Sequence, residues 1–169
     1  MPRVDWEEWT VTLAMLPVCA YFFFVDWNAG GLIGLPWFLF HSLNLIAHEA
    51  GHFFFRFFGE WMMFAGGSIL QVALPGIIAW SALTWSSRAG FQLGMVWVGQ
   101  SLLDVSVYAA DAKARALPLL GGLSHDYHDW YNLLKPLGML DHAGAVAMGF
   151  VIAALVVWAI GLSAPKWTA

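Results

Sequence analysis

The sequence predicts an all-α fold, a polytopic transmembrane helical bundle of about five spans. Three observations carry that expectation. The 169 residues are 60% hydrophobic and only 11% charged, with a mean hydropathy of +0.68, whereas a soluble domain carries about a quarter charged residues. The apolar residues cluster into runs close to the roughly 20 residues that cross a bilayer. Eleven Trp and thirteen Phe suit long lipid-facing and interfacial surfaces. The length fits one integral membrane domain covering residues 1–169.

The first run is about 9–25 and ends at the turn-rich "DWNAGG". The preceding "MPRVDWEEW" is acidic where a signal peptide would be basic, so this run is expected to be a retained span. The second run, 32–58, is long enough to tilt and carries Pro36 near its start. The third, 69–85, follows "FAGG", and Pro75 within it predicts a kink or a break. The fourth, 91–112, has no proline and should be one continuous helix. A polar connection with "SHDYHDWYNLL" leads to the fifth run, 143–162.

Loop cations set orientation. With the N-terminus inside, the inner side carries Arg3, Arg56, Lys113, Arg115 and Lys135, against Arg88 and Lys166 outside. The balance favours N-in and C-out. A net charge of −4 argues against a nucleic-acid partner. The single cysteine, Cys19, excludes an intramolecular disulfide. The absence of eukaryotic sorting signals points to a bacterial inner (cytoplasmic) membrane.

Chemistry concentrates in "HEAGH", residues 48–52, inside the second run. Each charged group at mid-bilayer costs about 2.5–3.5 kcal/mol on insertion scales, so three ionisable groups in five residues need a purpose. On a helix His48 and His52 project from one face. Imidazoles so placed can bind one zinc ion and leave room for a third protein ligand and a water. Glu49 could accept a proton from that water. Gly51 fits close approach by a neighbouring helix or a substrate backbone. His41, Asn44 and Arg56 extend the polar stripe along the same side.

The fourth run offers two candidates for the third ligand, Asp104 and Asp111, seven residues apart on one face with Tyr108 between them. Alternation of the runs brings the end of the second run, the end of the fourth and the following loop to one side of the membrane. His125 and His128 belong to that loop, as do Asp126 and Asp129. The loop reads mainly as a solvated connection with Trp130 and Tyr131 anchoring at the interface. His128 or Asp129 could alternatively orient a metal ligand from outside the first ring of donors. Asp141 reads as interfacial and as an N-cap for the last run.

HEAGH in a membrane helix, followed two spans later by an aspartate segment, resembles the site-2 protease family of intramembrane zinc metalloproteases. "GGSILQ", residues 66–71, looks like that family's Gly-rich element, with Gln71 where the family has Asn. "DVSVYAADA" looks like its aspartate segment, with Asp111 at the ligand position and neither its proline nor its glycine. The alternative register makes Asp104 the ligand. The resemblance covers about residues 40–115 and implies a minimal metalloprotease core. It implies zinc held by His48, His52 and Asp111, with Asp104 as second choice. It further implies Glu49 as general base, Gln71 binding unwound substrate backbone, and a transmembrane protein substrate. Two other readings stand beside it. One is a non-catalytic accessory subunit with a structural metal site, partnered with other membrane proteins. The other is a di-iron oxidase, for which six histidines without an adjacent pair are too few.

Overall fold

The computed structural model describes the backbone of residues 6–166 and the side chains of residues 9–165. Arg3, counted above for orientation, lies outside the described residues, as does the Lys166 side chain. The described chain is all-helical: α1 (Trp6–Phe24), α2 (Gly31–Phe55), α3 (Glu60–Thr84), α4 (Arg88–Ala110), a short α5 (Asp129–Leu134) and α6 (Ala143–Leu162). Three helical stretches are long and apolar enough to cross a membrane, Glu60–Thr84, Arg88–Ala110 and Leu140–Leu162. The outer surface is correspondingly apolar, with Leu32, Ile46 and Trp80 exposed. Soluble monomers rarely leave such patches uncovered.

The long helices fall on the five apolar runs, and the largest departure is at α3. It starts at Glu60, nine residues before the expected 69, and passes through Gly66, Gly67 and Pro75 without ending. Glycine and proline predict a break there because each disfavours a helix in water. Here the two glycines are buried, so packing against α2 overrides propensity.

The centre of the molecule is α4, buried along most of its length and packed against α6, α3 and α1. Small residues make this close approach work. Ala143, Ala147, Ala154 and Gly161 form a buried stripe along α6, at the spacing of one helix face. Gly99 of α4 leaves room for the Trp158 indole, which donates to the Val96 carbonyl at 3.0 Å. Away from the HEAGH end, buried Gln92 donates to Thr12 Oγ1 and to the Gly161 carbonyl, and Thr12 donates to the Leu162 carbonyl. These bonds tie α1, α4 and the end of α6 together.

The connection from α4 to α6 is solvated only in its first part, with residues 121–127 exposed, and turns inward at His128. His128, Asp129 and Trp130 are buried, and α5 lies against α3 and α4. Trp130, Leu133 and Leu134 enter a core cluster with Phe64, Val105, Ala109 and Ala147. Three apolar side chains at i, i+3 and i+4 give this single helical turn and a half an inward face. Asp141 does not cap α6; it pairs with Lys113, and both side chains are exposed. The N-cap position belongs to His142, whose side chain makes no capping bond.

Candidate metal centre

His48 and His52 do share a face of α2, and both turn their Nε2 atoms towards one carboxylate oxygen. Asp129 Oδ2 lies 2.8 Å from His48 Nε2 and 3.3 Å from His52 Nε2. One ligand atom from each residue falls within a 4.8 Å cluster. Donors about 2 Å from a tetrahedral zinc stand about 3.3 Å apart, so the Asp129–His52 distance already matches and the Asp129–His48 distance would open by about half an ångström. The opposite nitrogens are tied down. His48 Nδ1 is 3.0 Å from Gln71 Oε1, and His52 Nδ1 is 2.8 Å from the Met63 carbonyl. Both partners are acceptors, so each Nδ1 carries the proton and each Nε2 faces the shared centre. Imidazole ligands are held in this way at metal sites.

The approach of α3 to α2 depends on three glycines. A Cβ on Gly51 would stand 2.1 Å from the Gly66 carbonyl oxygen, and one on Gly67 would stand 2.6 Å from His48 Nε2. Without them α3 could not bring Gln71 and Met63 to the imidazoles. "HEAGH" and "GGS" are therefore two halves of one helix contact.

Asp129 arrives from outside the five long helices. It is the first residue of α5, and His128 is the N-cap, with Nδ1 accepting from the Tyr131 N–H at 3.2 Å. Nε2 of His128 then donates to Asp111 Oδ2 at 3.3 Å. Both ring nitrogens of this fully buried histidine are occupied. Burial pushes its pKa below the ordinary imidazole value, with Asp111 opposing. The Asp129 backbone N–H donates to the Tyr108 hydroxyl at 3.1 Å. Burial also opposes ionisation of Asp129, but the neighbouring imidazoles of His48 and His52 outweigh it and hold the carboxyl below its usual range.

The acid that meets the imidazoles is therefore Asp129, where the fourth run had been expected to supply it. Asp111 lies at the end of α4 and spends its oxygens on the Ala116 and Leu117 N–H groups, each at 2.9 Å, and on His128. It fixes the turn that starts the return segment. Asp104 lies deeper and accepts from Asn44 and Gln71 on Oδ2, both at 3.0 Å, while Oδ1 is 2.9 Å from His41 Nδ1. Neither aspartate joins the cluster. Gln71, expected to grip substrate, is buried with its oxygen on His48 and its nitrogen on Asp104. The loop did carry a usable signal: Asp129 directly precedes the i, i+3, i+4 apolar set of α5, which marks a short helix folded inward.

A cavity of about 520 Å³ opens beside the cluster. His48, Glu49, His52, Tyr108 and Asp129 line its polar end, and Leu117 to Gly121 with Leu123 roof it. Glu49 is exposed to this space, and no hydrogen bond or ion pair to it occurs among the described residues. Towards the start of α2 the cavity reaches His41, Asp104 and Trp27. His125 is exposed on the far part of the loop and does not line it. Arg56 stacks on Phe53 and Phe57 at the end of α2.

Comparison with protein-family models, with curated proteins and with solved structures returns no match.

Proposed function

We propose that this chain is an intramembrane zinc metalloprotease that hydrolyses a peptide bond of a membrane-embedded protein substrate. The observation that carries the reading is the convergence of two Nε2 atoms and one carboxylate oxygen at a cavity wall that also presents an unpartnered glutamate. Two histidines and a carboxylate form a donor set suited to catalytic zinc, with a fourth position left open.

His48, His52 and Asp129 would hold the ion. When bound, zinc supplies Lewis acidity to the scissile carbonyl and to an attacking water. Glu49 takes the proton of that water and returns it to the leaving amine. Its freedom from ion pairs leaves its oxygens available for both transfers. The apolar walls admit a substrate segment and limit bulk water. A helical substrate must first unwind, because its carbonyls are committed to backbone bonds. The return segment roofs the cavity and carries Asp129, so it frames both substrate and ion.

The same reading takes all five long helices as spans, N-in and C-out, in a bacterial inner membrane. The test uses detergent-purified protein. Zinc content near one per chain and cleavage of a transmembrane peptide, with cleavage lost in Glu49→Gln at unchanged zinc content, are the expected results. Protein that cleaves equally well as Glu49→Gln removes the protease reading.

A further inference from the structure

The network behind His48 runs in one direction only, and that direction follows from which groups cannot reverse. Trp97 Nε1 is an obligate donor, and it gives its proton to Asn44 Oδ1 at 2.9 Å. Ser101 donates to the same oxygen. The Asn44 amide is thereby oriented, and its nitrogen donates to Gln100 Oε1 at 2.8 Å and to Asp104 Oδ2 at 3.0 Å. All four hydrogen-bonding positions of Asn44 are used. Asp104 Oδ2, receiving from the oriented Asn44 amide, is an acceptor. Only the nitrogen end of the Gln71 amide can face it. Gln71 Oε1 must then face His48, and His48 Nδ1 must carry the proton.

We infer that Asp104, acting through Gln71, is a positioning residue that fixes the proton of His48 on Nδ1 and so keeps Nε2 available to a metal ion. The inference rests on the metal-site reading above and assigns to Asp104 and Gln71 the task of selecting a tautomer. Were the Gln71 amide reversed, its NH2 group would point at Nδ1. The ring proton would move to Nε2 and sit where the ion belongs. An amide alone can take either orientation; a carboxylate behind it removes the choice. The carboxylate does this at a distance, since Asp104 does not touch His48.

His41 makes a sharp test available. Asn at 104 can still present its carbonyl oxygen to Asn44 and Gln71 while turning its NH2 group towards His41, whose neutral ring can accept. Leu at 104 keeps the shape and loses the acceptor. The experiment measures zinc affinity by chelator competition on the purified full chain, with helicity and monodispersity checked for each variant. Asp104→Asn should stay within a few-fold of wild type. Asp104→Leu and Gln71→Leu should each weaken zinc by about 10–100-fold, the range for outer partners of metal ligands. The double variant Asp104→Leu/Gln71→Leu should be no weaker than Gln71→Leu alone, because one acts through the other. Loss of zinc in Asp104→Asn would overturn the inference by making Asp104 itself a ligand. Additive losses in the double variant would overturn it as well, as would an unaffected Asp104→Leu. Absence of zinc from wild type would instead remove the metal site, a different failure from these three.

Discussion

His48 and Asp129, 81 positions apart in the chain, meet at 2.8 Å between Nε2 and Oδ2. The contact closes the segment after α4 back onto α2. It also places a carboxylate among imidazoles in surroundings where an unpaired charge would be costly. Five elements meet at this point: α2 supplies the imidazoles, α3 their outer partners, α4 the Tyr108 and Asp111 anchors, α5 the acid, and the α4–α5 connection the roof.

If Asp129 is a ligand and Asp111 a support, their replacements should separate. Asp129→Ala should abolish stoichiometric zinc binding. Asp111→Ala should keep a metal site weakened by about 10–100-fold, because α5 loses only the partner of its cap. Measured zinc per chain and dissociation constants decide this, and the reverse ranking would return the ligand role to α4.

Glu49→Gln keeps the shape of the cavity wall and removes the carboxylate proposed as base. Turnover of a transmembrane peptide should fall by about 10²–10⁴-fold, the usual worth of a positioned general base. Zinc content should stay at the wild-type level. Joint loss of metal and activity would show instead that Glu49 holds the ion.

The glycines make distinct predictions. Gly67→Ala places a methyl 2.6 Å from His48 Nε2, a ring already pinned by Gln71 and Asp129. Zinc affinity should drop. Gly51→Ala presses on the Gly66 backbone, which cannot swing aside, and should cost about 1–3 kcal/mol of stability. Thermal unfolding in detergent reads the second effect and chelator competition the first. Wild-type behaviour of both variants would mean that α2 and α3 do not touch here.

Metal removal should loosen the return segment. With a chelator present, added protease should cut residues 113–124 faster in wild type. In Asp129→Ala the rate should already be high and indifferent to chelator. Equal rates in wild type with and without chelator would contradict an ion that bridges α2 and α5.

Acidification should release zinc, because protons compete for both imidazoles and the carboxylate. Occupancy should therefore fall as pH drops through the imidazole range and recover on neutralisation. Occupancy constant down to pH 5 would point to donors other than His48 and His52.

The helices and the histidine pair were legible in the sequence because both rest on local periodicity: runs of about 20 apolar residues and a four-residue spacing. The α3 boundary was not, since Gly66 and Gly67 read as a break until Gly51 is known to face them. The third acid was hidden for a related reason. Asp104 and Asp111 sit on a long helix at attractive spacing, and only tertiary contacts reveal that Asn44, Gln71, His41, His128 and two backbone N–H groups already occupy them. Asp129 lies in a polar stretch whose composition resembles water-exposed chain, and its inward face spans only Trp130 to Leu134.

Asp129 rides on the same covalent strap as the cavity's ceiling, Leu117 to Leu123. Lifting that strap would part Asp129 from the two histidines and expose the chamber in a single movement, with no long helix having to slide. Access to the chamber and the integrity of the three-residue cluster are thereby geared together.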